Sequence, residues 1–161
     1  MKTQNRPPSS KNGANGEKML KRTIAFRKGY LSFSFGGEPN QLENEIKKTC
    51  ELLNKGSYLV EIFVYSDLVN SVFKEMTIIG KWKNFIYYLF DNVDFLSSIN
   101  VADLRYLSIY AFDSNEIKNR DIPMLIKNAA FAVSIENHLD TCEIILRKSE
   151  YTKDQINKLK A

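Results

Sequence analysis

One histidine, one tryptophan, two cysteines and four prolines are all that the 161 residues hold of those types. Each scarcity excludes something. A lone His138 leaves no second histidine for a metal cluster, and beside Asn137 it reads as an incidental loop residue. Cys50 and Cys142 show no metal-type spacing, so reduced, buried thiols are expected, as in a cytoplasmic protein. No hydrophobic run is long enough to cross a membrane, and no charged start followed by an apolar core marks a signal peptide, so no membrane partner is expected. GxGxxG, Walker A, GxSxG and CxxC patterns are all missing, which removes the simplest dinucleotide, nucleoside-triphosphate, α/β-hydrolase and dithiol readings.

What is present is ordinary globular composition, 43% hydrophobic and 26% charged, enough for one domain with a substantial core. The net charge is +4, with Lys and Glu interleaved along most of the chain. The basic excess sits near the ends: Lys2, Arg6, Lys11, Lys18, Lys21 and Arg22, then Lys153, Lys158 and Lys160. The default meaning of such a balance is a solvated surface, and nucleic acid is not an expected partner. Residues 1–18 are nearly devoid of apolar side chains and rich in Pro, Ser, Asn and Gly. They read as a disordered tail before one domain, residues 19–161, with a bacterial secretion signal as the other reading of the tail.

Along the domain, Thr23–Phe26 reads as a short strand, and Arg27-Lys28-Gly29 as a turn. Leu31, Phe33 and Phe35 alternate with serines, giving a half-buried strand that ends at Gly36-Gly37. Leu42, Ile46, Thr49 and Leu53 share a helical face, and Gly56 follows as a stop signal. The almost continuously apolar Tyr58–Tyr65 suits a central parallel strand, closing on Ser66-Asp67 as the cap of a helix carrying Leu68, Val72, Phe73 and Met76. A short apolar piece, Thr77–Ile79, precedes Lys81-Trp82-Lys83, where Trp82 reads as an edge-of-core residue. Asn84–Phe95 is apolar nearly all round and is predicted to be a buried helix. Leu104–Phe112 then forms a strand ending at Asp113. Asp121 caps a helix, Ile122–Asn128, with Pro123 in its first turn, and Ala129–Ile135 follows as another strand. That unit predicts a right-handed crossover between parallel strands. Thr141–Arg147 adds a strand, and Thr152 opens a final helix.

Read together, Asn119-Arg120-Asp121-Ile122-Pro123-Met124-Leu125 and the following Ala129-Ala130-Phe131-Ala132-Val133 resemble the acidic fourth motif of the haloacid dehalogenase superfamily. The nearest branch is the capless one that includes the 3-deoxy-manno-octulosonate phosphate phosphatases. The resemblance implies an α/β, three-layer sandwich around a mainly parallel sheet, with a β-hairpin near the N-terminus. It places Ser66 as the hydroxyl that holds a transferring phosphoryl group, Lys81 or Lys83 as the neutralising lysine, and Asp113 and Asp121 as carboxylates for Mg²⁺. The first motif departs from the family. Arg27, Lys28 and Gly29 stand where an Asp nucleophile and a second Asp belong, and an arginine cannot attack phosphorus.

A catalytically inactive domain is therefore expected, acting by binding or assembly, with Arg27 and Lys28 turning the former metal centre into a basic pocket for a small anion. The hairpin Tyr30–Phe35 would pack its Leu31, Phe33 and Phe35 row against a partner subunit, giving a homo-oligomer, or against the domain's own helices. Two other readings stand beside this one. The first is a divergent Mg²⁺-dependent phosphatase of sugar phosphates that recruits Asp67. The second is an unrelated α/β bacterial interaction or effector protein.

Overall fold

The structure, a computed structural model, describes residues 22–25, 28–63, 78–98, 106–114, 121–136 and 141–160. The expected disordered tail, the helix expected after Asp67, and His138 lie outside the described residues. The strands are β1 (Arg22–Ala25), β2 (Tyr30–Gly36), β3 (Ser57–Phe63), β4 (Ile78–Trp82), β5 (Phe85–Phe90), β6 (Tyr106–Phe112), β7 (Phe131–Glu136) and β8 (Thr141–Arg147). They make one eight-stranded sheet in the order β1-β2-β8-β7-β6-β3-β5-β4. Every neighbouring pair is antiparallel.

This overturns the mainly parallel, three-layer Rossmannoid sandwich. The decisive place is the unit from β6 to β7, expected to be a crossover but found as antiparallel neighbours with Ala111 opposite Phe131. The intervening helix has seven residues, about 10 Å of rise, whereas the seven residues of β6 span about 23 Å. So short a helix does not by itself carry the chain back along a whole strand. The predicted helix over Asn84–Phe95 is also corrected. Phe85–Phe90 is β5, followed by a 3₁₀ turn at Asp94–Ser98. Its Phe-Ile-Tyr-Tyr-Leu-Phe run is apolar on both sides because a strand buried on both sheet faces needs that, and aromatic and β-branched side chains fit a pleated surface.

Among the described residues three helices flank the sheet: α1 (Pro39–Leu52), α2 (Ile122–Asn128) and α3 (Lys153–Lys160). The α1 start is held by the Glu38 N–H donating to the Gln41 side chain at 2.9 Å, with Pro39 in the first turn. Thr152 and Gln155 close α3 reciprocally, Gln155 N–H to Thr152 Oγ1 at 3.2 Å and Thr152 N–H to Gln155 Oε1 at 3.0 Å. Leu42, Ile46, Cys50 and Leu53 of the α1 segment and Leu159 of α3 pack on one sheet face, against Phe33, Phe35, Tyr58, Val60, Ile109, Val133 and Ile144. The apolar row of β2 is therefore covered by the domain's own helices, with Phe33 and Phe35 buried. The second face is smaller. There Ile122 and Leu125 of α2 pack on Leu59, Tyr87 and Phe112.

Candidate functional site

Antiparallel pairing decides where the sequence-predicted site residues fall. The carboxyl end of β6 lies beside the start of β3, since Phe112 pairs with Ser57. Lys81 and Lys83 flank Trp82, which pairs with Phe85, itself opposite Phe63 at the other end of β3. The seven residues of β3 separate the two ends by about 20 Å. Asp113 and the two lysines cannot share one phosphoryl group. Lys81 instead lies exposed on the edge strand, where lysines discourage sheet-to-sheet pairing. Lys83 sits exposed in the β4–β5 turn with φ of 55°. Arg27 and Ser66 lie outside the described residues.

The two predicted Mg²⁺ carboxylates do not make a metal centre either. Asp113 Oδ1 is 3.6 Å from Lys55 Nζ, which also meets Glu150 Oε2 at 3.1 Å and stands 5.4 Å from the Tyr151 ring centre. Asp121 occupies the N-cap of α2, exposed, without a side-chain capping bond. Among the described residues no three His, Cys, Asp or Glu side chains gather at metal-holding distance. Among the described residues this donor set does not fit a Mg²⁺ ion.

The same end of the sheet carries a basic cluster that the sequence did not reveal in full. Gly29, at φ +85°, makes the β1–β2 turn and places Lys28 there. The Lys148 N–H donates to Gly29 O at 2.9 Å, so the end of β8 is tied to that turn. Arg147 pairs with Tyr30 in the ladder, and its guanidinium lies 5.7 Å from the Tyr30 ring centre. Arg147 Nη2 donates to Lys127 O at 3.1 Å, which brings in the end of α2. Lys28, Lys127 and Lys148 are exposed. Among the described residues no carboxylate pairs with these lysines or with Arg147, while the nearby Asp113 and Glu150 are engaged by Lys55.

A second constellation lies on the α2 face and was missed from sequence. Glu61, 5% exposed, sits in the middle of β3. Tyr87 donates to its Oε2 and Tyr106 to its Oε1, each at 2.5 Å. Ser108 Oγ donates to the Tyr106 hydroxyl at 2.8 Å and lies 2.9 Å from Ser134 Oγ. Burial, and then the Glu61 carboxylate to which they donate, holds the Tyr87 and Tyr106 phenols well above their usual range. These residues belong to one transverse row. Tyr87, Glu61, Ser108, Ser134, Glu143 and Ser34 are successive cross-strand partners over β5, β3, β6, β7, β8 and β2. The signal that could have found it is plain: Glu61 is the one charged residue in the apolar run 58–65. Both of its oxygens accept from phenols, so the carboxylate is a structural hub and is not presented as a free base.

No family model matches this chain, and no curated protein or solved structure matches it either.

Proposed function

We propose that the chain is a non-catalytic binding or assembly module that captures a small anion at the end of its sheet, where Lys28, Lys127, Arg147 and Lys148 meet. The observation that carries this reading is that Lys148 N–H to Gly29 O and Arg147 Nη2 to Lys127 O tie together the segments bearing Lys28, Lys127, Arg147 and Lys148, none of which has a carboxylate partner among the described residues. Unpaired cations held close together repel one another, and an anion relieves that repulsion while gaining charge-assisted hydrogen bonds. Arg147 adds a planar donor array held in place by Tyr30 and Lys127 O. The buried carboxylate on the α2 face is occupied by Tyr87 and Tyr106, which supports binding rather than turnover. The buried thiols of Cys50 and Cys142 suit a reducing compartment such as the cytoplasm.

The test is a thermal-shift series with phosphate, sulfate and Mg²⁺, run beside a generic phosphomonoester hydrolysis assay. A ligand that binds only the folded chain raises its midpoint by mass action. Phosphate and sulfate should raise the midpoint in a dose-dependent way, and Lys28→Glu with Lys148→Glu should abolish the rise. Turnover of a phosphomonoester, or no anion response, contradicts the reading.

A further inference from the structure

A cleft of about 120 Å³ opens on the α1 face of the sheet, between α1 and the 3₁₀ turn that follows β5. Ile46 of α1, Leu96 of the turn and Leu107 of β6 line it, each buried at 8% exposure or less. It is separate from the basic end of the sheet. Leu107 lies near the start of β6, whereas the Arg147 N–H donates to Ala130 O and the Ala130 N–H to Ala111 O near its end.

We propose that this cleft binds a free α-amino acid with an aliphatic side chain of about the size of leucine's. The three buried aliphatic residues ask for an apolar body. Dry apolar cavities of about 150 Å³ take a benzene-sized guest, and a leucine side chain is smaller. The rest of the lining is polar and carries both signs of charge. Glu43, Asn44 and Lys47 contribute from α1, and Ser97 from the turn. Glu43 and Lys47 are four residues apart, which makes them neighbours on one helix face. Among the described residues neither is in an ion pair. A ligand with only a carboxylate would meet Glu43 as well as Lys47, and a lone ammonium would meet Lys47 as well as Glu43. A head that bears both charges on one carbon answers each with its opposite. Asn44 can donate to the carboxylate, and the Ser97 oxygen can accept from the ammonium.

The turn wall is built before any ligand arrives. The Asp94 N–H donates to Asn92 Oδ1 at 2.9 Å, and Ser97 Oγ donates to Asp94 O at 2.7 Å. Phe95, next to Leu96, stacks on Phe90 with ring centres 4.5 Å apart. A wall that is already ordered costs a ligand less affinity than one that must be ordered on binding.

The test is calorimetric titration of the full chain with L-leucine, beside relatives that each lack one part. Glycine lacks the side chain, 4-methylpentanoate the ammonium, isopentylamine the carboxylate, and isopentanol both charges. L-leucine should bind about tenfold or more tightly than each, the worth of a charge-assisted hydrogen bond or of a buried aliphatic chain. Glu43→Gln should weaken leucine by about threefold while strengthening 4-methylpentanoate. Lys47→Gln should weaken leucine by about the same factor while strengthening isopentylamine. A merely structural role for the two residues would not produce these opposite movements. Neither side chain is in the buried core, so unliganded unfolding midpoints of both variants should match the parent. Glycine binding as tightly as leucine would mean that the apolar floor is unused, and overturns the proposal. It is equally overturned if isopentanol or either singly charged relative matches leucine, if leucine affinity is unchanged in both variants, or if leucine gives no saturable heat.

Discussion

Tyr87 donates its hydroxyl to Glu61 Oε2 at 2.5 Å, directly across the β3–β5 ladder in which the two residues are paired. The contact explains how a carboxylate that is 5% exposed sits in the centre of an apolar strand. A buried charge is costly unless hydrogen-bonded, and here Tyr106 satisfies the other oxygen. The hub also separates two apolar surfaces on that face. One is the α2 contact with Leu59 and Phe112, and the other is the ring cluster of Phe63, Phe85 and Tyr106, with centroids 4.9–5.4 Å apart.

Tyr87→Phe removes one donor and leaves Glu61 half-satisfied. The expected cost is about 1–3 kcal/mol of folding stability, read from urea unfolding. Adding Tyr106→Phe should cost a non-additive further amount, because both phenols serve one carboxylate. A Tyr87→Phe change with no loss of stability would show that the hub is not satisfied by this contact.

Alkaline pH should unfold the chain through its tyrosines. Burial, and then Glu61, raises the Tyr110 phenol from 10.0 to about 12, and Tyr87 and Tyr106 are displaced in the same direction. A folded-state value above the unfolded one means that the folded chain holds its proton more tightly. Their contribution is fully present below pH 10 and is lost as pH rises from 10 towards 12 and beyond. Unfolding midpoints should stay level up to about pH 10 and then fall, with phenolate absorbance rising in step with unfolding. Phenolate formation with normal values in the native state would contradict this.

The parts of this fold that were legible in sequence are those whose signal is local. The alternation of Leu31, Phe33 and Phe35 marked β2, and the spacing of Leu42, Ile46, Thr49 and Leu53 marked α1 with its buried side. Pro123 behind Asp121 marked α2, and Thr141–Arg147 was read as a strand and is one. Strand direction was not legible. A run such as Tyr58–Phe63 is apolar apart from Glu61 because both faces are covered, by α1 and α3 on one side and by α2 and the Glu61 cluster on the other, whichever way its neighbours run. Phe85–Phe90 was misread for a related reason, since a short all-apolar run carries no period to distinguish strand from helix. Of the candidate site, the cation at the β1–β2 turn was visible as Lys28. Arg147 and Lys148 join it only through pairings more than 100 residues apart in sequence, such as Tyr30 with Arg147, and Lys127 joins through Arg147.

Burial, and to a lesser degree Glu51, pushes the Cys50 thiol up to about 12. Cys142 is also fully buried. In the native state at pH 8 a thiol reagent should modify neither cysteine at an appreciable rate, and both should react once the chain is unfolded in denaturant. Fast native-state labelling of Cys50 would contradict its enclosure between α1 and the sheet.

Asp113→Asn should leave the molecule nearly unchanged. Its side chain is 56% exposed, and its ion pair to Lys55 at 3.6 Å is shared with Glu150. The expected loss is under about 1 kcal/mol in denaturant unfolding. No Mg²⁺-dependent stability should disappear with it. A large loss, or a metal response that the substitution abolishes, would restore Asp113 as a metal ligand.

Gly29→Ala tests the turn that carries Lys28. At φ +85° an alanine is strained, at about 1 kcal/mol or more, and the strain falls on the turn whose carbonyl accepts from Lys148 N–H. Unfolding midpoint and phosphate affinity should drop together. Unchanged anion affinity in a measurably destabilised variant would show that the turn does not organise the site.

The most direct measurement is a two-dimensional amide NMR titration of the full chain with phosphate. Anion capture at the proposed end of the sheet predicts saturable shifts of the Lys28, Gly29, Lys127, Arg147 and Lys148 amides, with the Lys81 and Lys83 amides unmoved. Shifts centred on Lys81 and Lys83, or no saturable shift anywhere, would contradict it.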